Sequence, residues 1–321
     1  MKKLSILVAF LLMVVLTGCS KEEKAAKPSY PTKAIELVVP FAPGGATDVA
    51  ARHVANAANK YMPNGQSVVV TNKAGGGGVI AAAEMAKEKA DGYKLIYTST
   101  TPACVAPLLG DVGYKDDSFQ TIARVLSYSQ VLVVRKDSPW QTFEQWLEWV
   151  KKNPDTFTYG TQGVGTTPHL TMEEIAFAEG LKIKHVPYTG AALAQQSLLG
   201  NHIMGIACAS TDINKAELRI LVDFGSKRNP RNPDIPTLLE KNIKISHDLF
   251  SGVAAPKGLG KDELKVLETV FEKAANDPET KERLDKAGLD PGYLNAVDFQ
   301  KVISTEYKAY EAIIKKIGLR K

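Results

Sequence analysis

The sequence is poor in cysteine, nearly balanced in charge, and has no apolar run long enough to span a bilayer. Three cysteines in 321 residues exclude a scaffold built on disulfides. Lys and Arg number 40 against 35 Asp and Glu, a net charge of +5. The basic residues are scattered, so the footprint of nucleic-acid binding is missing. The stretch Leu4 to Leu16 is apolar over 13 residues with one Ser, short of the ~20 that a transmembrane helix needs. The five histidines, His53, His169, His185, His202 and His247, have no metal-ligand spacing. There is no Gly-x-x-x-x-Gly-Lys-Ser/Thr phosphate loop and no Gly-x-Ser-x-Gly nucleophile elbow. Neither a metal, a nucleotide cofactor nor a nucleophilic enzyme has a motif to stand on.

What is present begins with an export segment. Lys2-Lys3 precede the apolar stretch, which ends in Leu16-Thr17-Gly18-Cys19, the order of a secretory signal. These last four residues resemble a bacterial lipoprotein box. That resemblance implies a signal peptide over 1–18, removed to leave Cys19 lipidated as the mature N-terminus. Loss of Lys2 and Lys3 leaves 38 basic against 35 acidic residues. Residues 19–31, with Lys21, Glu22, Glu23, Lys24 and Lys27, read as a polar tether. The other two cysteines, Cys104 and Cys208, are read either as an exported pair that bridges or as two separate thiols.

The body of the chain repeats one unit: a short β-branched strand, a glycine-rich turn, and a helix. Ile35 to Val39 is the first strand. Pro40-Phe41-Ala42-Pro43-Gly44-Gly45-Ala46 makes the turn, and Thr47-Asp48 opens an Ala-rich helix. The unit returns as Ser67–Thr71 with Gly75–Gly78 and a helix over Val79–Ala90, then as the strand Lys94–Thr98 with Ser99-Thr100-Thr101. Repeated βα units of this size predict mainly parallel, doubly wound sheets with flanking helices. Ligands in such sheets sit at the carboxyl ends of strands. Gly75 to Gly78 serves either close packing or ligand contact.

A second set begins after Val131–Val134, a strand read as crossing between lobes. Thr142 with Gln145 fits a capping box, and Phe143, Trp146, Leu147 and Val150 share a helical face. The tryptophans are read as core. Phe157 to Tyr159 leads into Gly160-Thr161-Gln162-Gly163-Val164-Gly165-Thr166-Thr167-Pro168-His169, with Pro168 suited to a helix start. Ile183 to Val186 leads into Pro187-Tyr188-Thr189-Gly190-Ala191. Ile203–Ala207 and Arg219–Asp223 are further strands, Asn229–Thr237 a surface loop, and Leu249–Ala255 a strand returning to the first lobe. The tail is helical.

These loops offer backbone N–H groups at helix starts, glycines that allow close approach, and hydroxyls. The two main loops carry no Lys or Arg, which suits a carboxylate held reversibly better than a phosphate held tightly. Asp48 is read either as a structural acid of the first turn or as an acceptor for a ligand hydroxyl or amine.

The chain resembles the extracytoplasmic solute-binding proteins of tripartite tricarboxylate transporters. The resemblance rests on Val38 to Asp48, Asn72 to Gly78, Asp91-Gly92-Tyr93, Tyr159 to Leu170, His185 to Ala191, Asn232-Pro233-Asp234-Ile235-Pro236-Thr237 and Gly252 to Gly258, in order over residues 30–318. It implies a two-lobed α/β Venus-flytrap fold of the periplasmic-binding-protein type, type II-like. Residues 32–132 and 251–321 would form one lobe and 133–250 the other. It also implies a monomer without cofactor or metal, not an enzyme, on the outer face of the cytoplasmic membrane or in the periplasm. Such a protein binds a small organic acid and delivers it to a permease of a large and a small subunit. The residues carried over to the site are Phe41, Pro43, Gly44, Gly45, Ala46, Thr47, Asp48, Ser99, Thr100, Thr101, Gln162, Gly163, Gly165, Thr166, Thr167, His169, Tyr188, Gly190 and Ala191. One stretch departs: Gly200 to Asp212 lacks the family's usual acidic residue and runs about three residues short, which leaves the far wall of the pocket undefined. Two rival readings are a sensor that docks on a signalling receptor and an enzyme acting on a phosphorylated small molecule.

Overall fold

The computed structural model describes residues 30–211, 213 and 216–319. The signal segment, Cys19, the tether up to Ser29 and Asp212 lie outside these residues. The last two tether positions do not behave as a free linker. Tyr30 donates to the Gly92 carbonyl at 2.6 Å and packs edge-on against Tyr93, so the chain is docked on the first lobe at this residue.

The chain runs β1 (Ile35–Val39), α1 (Ala46–Tyr61), β2 (Val68–Asn72), α2 (Val79–Met85), β3 (Lys94–Ser99), a single turn α3 (Ala106–Leu109) and β4 (Phe119–Tyr128). It continues through β5 (Gln130–Arg135), α4 (Phe143–Lys152), β6 (Thr158–Thr161), α5 (Thr167–Glu179), β7 (Lys184–Pro187), α6 (Ala191–Leu199), β8 (Gly205–Ala209) and β9 (Leu218–Asp223). It closes with β10 (Leu249–Pro256), α7 (Lys261–Asn276), α8 (Pro278–Lys286), β11 (Pro291–Asn295) and α9 (Ala296–Lys316). These strands build two sheets, ordered β11-β4-β10-β3-β1-β2 and β7-β6-β8-β5-β9. The molecule is the two-lobed α/β fold expected from its sequence.

The sheets are mixed rather than mainly parallel. The βα units pair in parallel, β2 and β3 on β1 and β7 and β8 on β6. The remaining ladders, β3–β10–β4–β11 and β8–β5–β9, are antiparallel. The cause is the route of the chain. A helix crossover returns a strand to the same end of its sheet, so the pair is parallel. β4 instead passes straight into β5 of the other sheet through Ser129 alone, and β10 enters from the far side after the segment that follows β9. Strands that carry the chain between sheets arrive from the opposite end.

Each sheet is covered by helices. Ala50, Ala51, Val54, Ala55, Ala57 and Ala58 of α1 are buried, a face of small residues that lets the helix lie close on β1 and β2, where Ile35, Leu37 and Val39 are fully buried. In the second lobe Trp146 and Phe157 meet edge to face at 5.3 Å, within a core that includes Trp140, Phe143 and Tyr159. The tryptophans are core, as read. Thr142 caps α4 by accepting from the Gln145 N–H at 3.3 Å. Cys104 and Cys208 are buried thiols with no disulfide between them. The loop after β9 is not simply a surface loop, because Asn229 is buried and donates to Asp290 at 3.0 Å. No helix among the described residues is long and apolar enough to cross a membrane.

Candidate functional site

Parallel register brings the loops of the first lobe to one edge. Val39 lies beside Asn72 and Val38 beside Ile96, so the chain leaves β1, β2 and β3 at the same end of the sheet. The three exits touch. A Cβ on Gly78, at φ +97°, would stand 3.3 Å from Pro102 Cγ, 3.4 Å from Pro40 Cβ and 3.5 Å from Phe41 Cζ. Glycine is required there both by backbone conformation and by space.

Within the first loop Pro43, Gly44 and Gly45 are exposed, while Phe41, Ala46 and Thr47 are half-buried. Asp48 is 2% exposed and its carboxylate is occupied. Oδ2 accepts from the Gly44 N–H at 2.9 Å and from Arg52 Nε at 3.0 Å, and Oδ1 accepts from Asn72 Nδ2 at 2.8 Å. Asn72 also donates to the Phe41 carbonyl at 3.0 Å and accepts from Arg52 at 2.9 Å. Burial raises the Asp48 pKa, but the donors Arg52, Gly44 and Asn72 outweigh it and hold the carboxyl below its usual range. Asp48 thus ties the glycine turn to α1 and β2. Asn72 was missed as a member of this loop. The i, i+4 spacing of Asp48 and Arg52 was legible, whereas Asn72 enters only through the β1–β2 register.

At the end of β3, Ser99 and Thr100 are buried. Thr100 Oγ1 accepts from the Phe250 N–H at 2.9 Å, which ties this loop to β10. Thr101 is half-buried, and its methyl group approaches the position of a Cβ on Gly77.

The second lobe repeats the arrangement. Thr161 lies beside Pro187 in the parallel pair of β6 and β7, so residues 162–167 and 188–191 leave together. The Tyr188 N–H donates to the Thr161 carbonyl at 2.9 Å, and the Tyr188 carbonyl lies 3.8 Å from where Gly163 would carry a Cβ. Thr166 Oγ1 donates to the Gly163 carbonyl at 2.8 Å. Gln162 is half-buried, as are Tyr188, Gly190 and Ala191, while Thr167 is buried. The Tyr188 hydroxyl lies 2.5 Å from Ser197 Oγ.

His169 is 5% exposed, and its Nδ1 accepts from the Gly165 N–H at 3.2 Å. Its ring lies 4.1 Å from that of His185, whose Nε2 is 2.7 Å from Thr161 Oγ1. Burial, opposed by Glu173, lowers the His169 pKa. Burial and the neighbouring His169 bring His185 down to about 4. Both rings are therefore neutral at pH 7 and act as fixed supports under the loop. His185, set aside in the sequence as one of five scattered histidines, belongs to this group because β6 and β7 pair. Between the lobes, a side chain on Gly165 would run into Leu109 of α3, so the second loop approaches the first lobe closely.

The helix starts at these loops have no side-chain cap, a trait they share with α2, α3 and α7. α1, α5 and α6 begin at Gly45, Thr166 and Gly190 with no side-chain cap. α4, α8 and α9 are capped by Thr142, Asp277 and Asn295. Among the described residues no group of three or more His, Cys, Asp or Glu is arranged to hold a metal.

The family model of the tripartite tricarboxylate transporter receptor, TctC, matches residues 50–319. A UPF0065 protein from the gbd 5′ region of Cupriavidus necator is 36% identical over 304 residues, 93% of this chain and 91% of that one. A TctC solute-binding protein from Polaromonas, solved without ligand, is 32% identical with a TM-score of 0.76, covering 90% of this chain and all of the other. An R. palustris protein solved with adipate is 27% identical with a TM-score of 0.81, covering 90% of this chain and 99% of the other. With the fold, the loop arrangement and these likenesses in agreement, the chain belongs to the tripartite tricarboxylate transporter receptor family of solute-binding proteins.

Proposed function

We propose that this protein captures a small organic carboxylate between the loops after β1 and β3 and those after β6 and β7, and delivers it to a two-subunit permease. The supporting observation is the set of three uncapped helix starts, α1, α5 and α6, at those loops. The first N–H groups of a helix have no partner within it and lie at the positive end of its dipole. α2 and α7 also start at uncapped glycines and α1 has Asp48 in its own first turn, so the three starts are grouped by their place after β1, β6 and β7 and not by the missing cap alone. Residues 41–48, 99–101, 162–169 and 188–191 contain no Lys or Arg. Charge compensation by backbone dipoles and hydroxyls suits a ligand that must be released. The adipate held by a relative is of the same chemical class. Export through residues 1–18 and lipid attachment at Cys19 would place the protein outside the cytoplasm, beside its permease.

Calorimetric titration with mono-, di- and tricarboxylates, adipate included, tests the reading. Saturable binding without turnover is expected. Consumption of a phosphorylated compound, or silence across the whole panel, would overturn it. Gly45→Asp sharpens the test. Gly45 is the N-cap of α1 at φ −76°, and a Cβ there meets only the Ala42 carbonyl at 3.8 Å. An Asp there caps the helix itself, so stability holds or rises by a few tenths of a kcal/mol. It also occupies the N–H groups that the ligand needs. Loss of charge-assisted hydrogen bonds of about 1.5–3 kcal/mol corresponds to a roughly tenfold to hundredfold weaker affinity.

A further inference from the structure

His247 stands where both chain crossings between the lobes meet. It precedes β10 by two residues. Its N–H donates to the Phe224 carbonyl, and the Phe224 N–H donates to the Gln130 carbonyl at the start of β5. The imidazole is 4% exposed and lies between carboxylates from two helices. Nε2 is 2.8 Å from Glu174 Oε2 on α5, and Nδ1 is 3.6 Å from Glu306 Oε2 on α9. The ring stacks on Tyr310 of α9 with centroids 5.0 Å apart at 24°. α5 is the helix whose first turn carries the second-lobe loop, while α9 packs against β4 of the first lobe.

This joint gathers buried polar atoms whose partners stand just beyond bonding distance. His247 Nδ1, Glu306 Oε2, the Tyr310 hydroxyl and both amide atoms of Gln130 are buried without a partner at bonding distance. Buried polar groups are otherwise paired in folded proteins. Nδ1 and Glu306 Oε2 face each other at 3.6 Å, and the Gln130 side chain faces the Tyr310 hydroxyl, so the crossing holds one connected polar cluster.

We propose that His247 is a positioning residue: as an imidazolium between Glu174 and Glu306 it couples α5, and with it the Gly163–His169 loop, to α9 of the first lobe. The proposal rests on reading that loop as one wall of the ligand cleft. The groups facing the ring are Glu174 from α5 and Glu306 and Tyr310 from α9, with Gln130 of β5 and Cys104 acting on Tyr310. Burial lowers the imidazole pKa, but Glu174 and Glu306 overcome it and push it up to about 9. The charge is therefore present at neutral pH. It is lost as pH rises through about 9, leaving two buried carboxylates facing each other across a neutral ring.

Spin labels on exposed Lys89 of the first lobe and Lys182 of the second, each replaced by Cys, report the relation of the lobes without any ligand. In the otherwise native protein the distance distribution should shift between pH 7 and pH 10, with the midpoint of the His247 imidazole resonance. In His247→Gln the shifted distribution should already be present at pH 7, and adding Glu174→Gln and Glu306→Gln should restore the native one. With adipate as the probe, His247→Gln should bind on the order of tenfold more weakly, in the range of coupled equilibria. A pH-independent distance in the native protein overturns the proposal even if His247→Gln fails to fold, and so does a shift that the triple variant leaves in place. Absence of adipate binding to the native protein counts against the carboxylate reading and leaves the distance result to decide the coupling.

Discussion

At the scale of single residues, Asp48 shows how a buried carboxylate can tie a glycine-rich loop to the elements around it. Its three donors come from the turn, the helix and the neighbouring strand. Asp48→Ala should cost about 2 kcal/mol in urea unfolding, since the Gly44 N–H, the Asn72 amide and Arg52 lose a charged acceptor. The pH dependence follows from the direction of the shift. A carboxyl held below its unfolded value of about 3.9 contributes stability that is fully present above that value and is lost as pH falls through the lower folded one. The advantage of the native protein over Asp48→Asn should therefore shrink below about pH 4, and an advantage independent of pH would remove the ionic part of this account. The sequence made Asp48 visible but left its role open. Its tie to β2 comes from Asn72, 24 residues away, brought alongside by the β1–β2 register.

At the scale of elements, local chemistry set most of what forms. β-branched runs gave strands, Gly and Pro the turns between them, and Thr142 the start of α4. Thr142→Ala should cost about 1 kcal/mol of stability and leave carboxylate affinity unchanged, because α4 lies away from the candidate loops. A parallel loss of affinity would mean that α4 bears on the cleft. Legibility failed where pairing is distant. β4 runs between β10 and β11 with Thr121, Ile122 and Ala123 consecutively buried, so it lacks the alternation that marks a strand with one wet face. β11 reads Pro291-Gly292-Tyr293-Leu294-Asn295, a poor strand by propensity, and it forms because β4 offers an edge and Arg124 donates to the Gly292 carbonyl at 2.7 Å. α2 stops at Met85 rather than Ala90, because Lys87 and Glu88 donate three residues back, to Glu84 and Met85, and tighten the chain into the Asp91-Gly92 turn.

At the scale of the whole molecule, two lobes joined by short crossings need side-chain ties to fix their relation. One tie is Arg231, in the segment between β9 and β10. Its Nε reaches Asp290 at 2.5 Å, and Nη2 reaches Asp285 at 2.7 Å and the Leu289 carbonyl at 2.9 Å. Asn229 adds its bond to Asp290. The acceptors lie in and after α8, on the side of the first sheet. Arg231→Ala leaves Asp290 partly buried without its cation and should lower stability by roughly 1–3 kcal/mol. A denaturation midpoint within error of the native one would show that the tie is incidental. Together with His247 it places the polar links between lobes near the crossings, away from the helix starts that face the candidate cleft.

The sequence by itself determined the βα units, their glycine turns, the lack of Lys and Arg in the candidate loops and the family. Each of these depends on neighbours within a few residues, or on segments that keep their order and spacing. Tertiary structure decided the antiparallel half of each sheet, the anchoring of Asp48 by Asn72, the pairing of His169 with His185, and the clasp of His247 between Glu174 and Glu306. Those contacts join residues 16 to 73 positions apart or more, and no local propensity encodes them. Asp48 meets Asn72 and His169 meets His185 because parallel strands bring distant loops side by side. His247 meets its carboxylates because a chain that leaves one sheet and returns to it buries its crossing against both lobes.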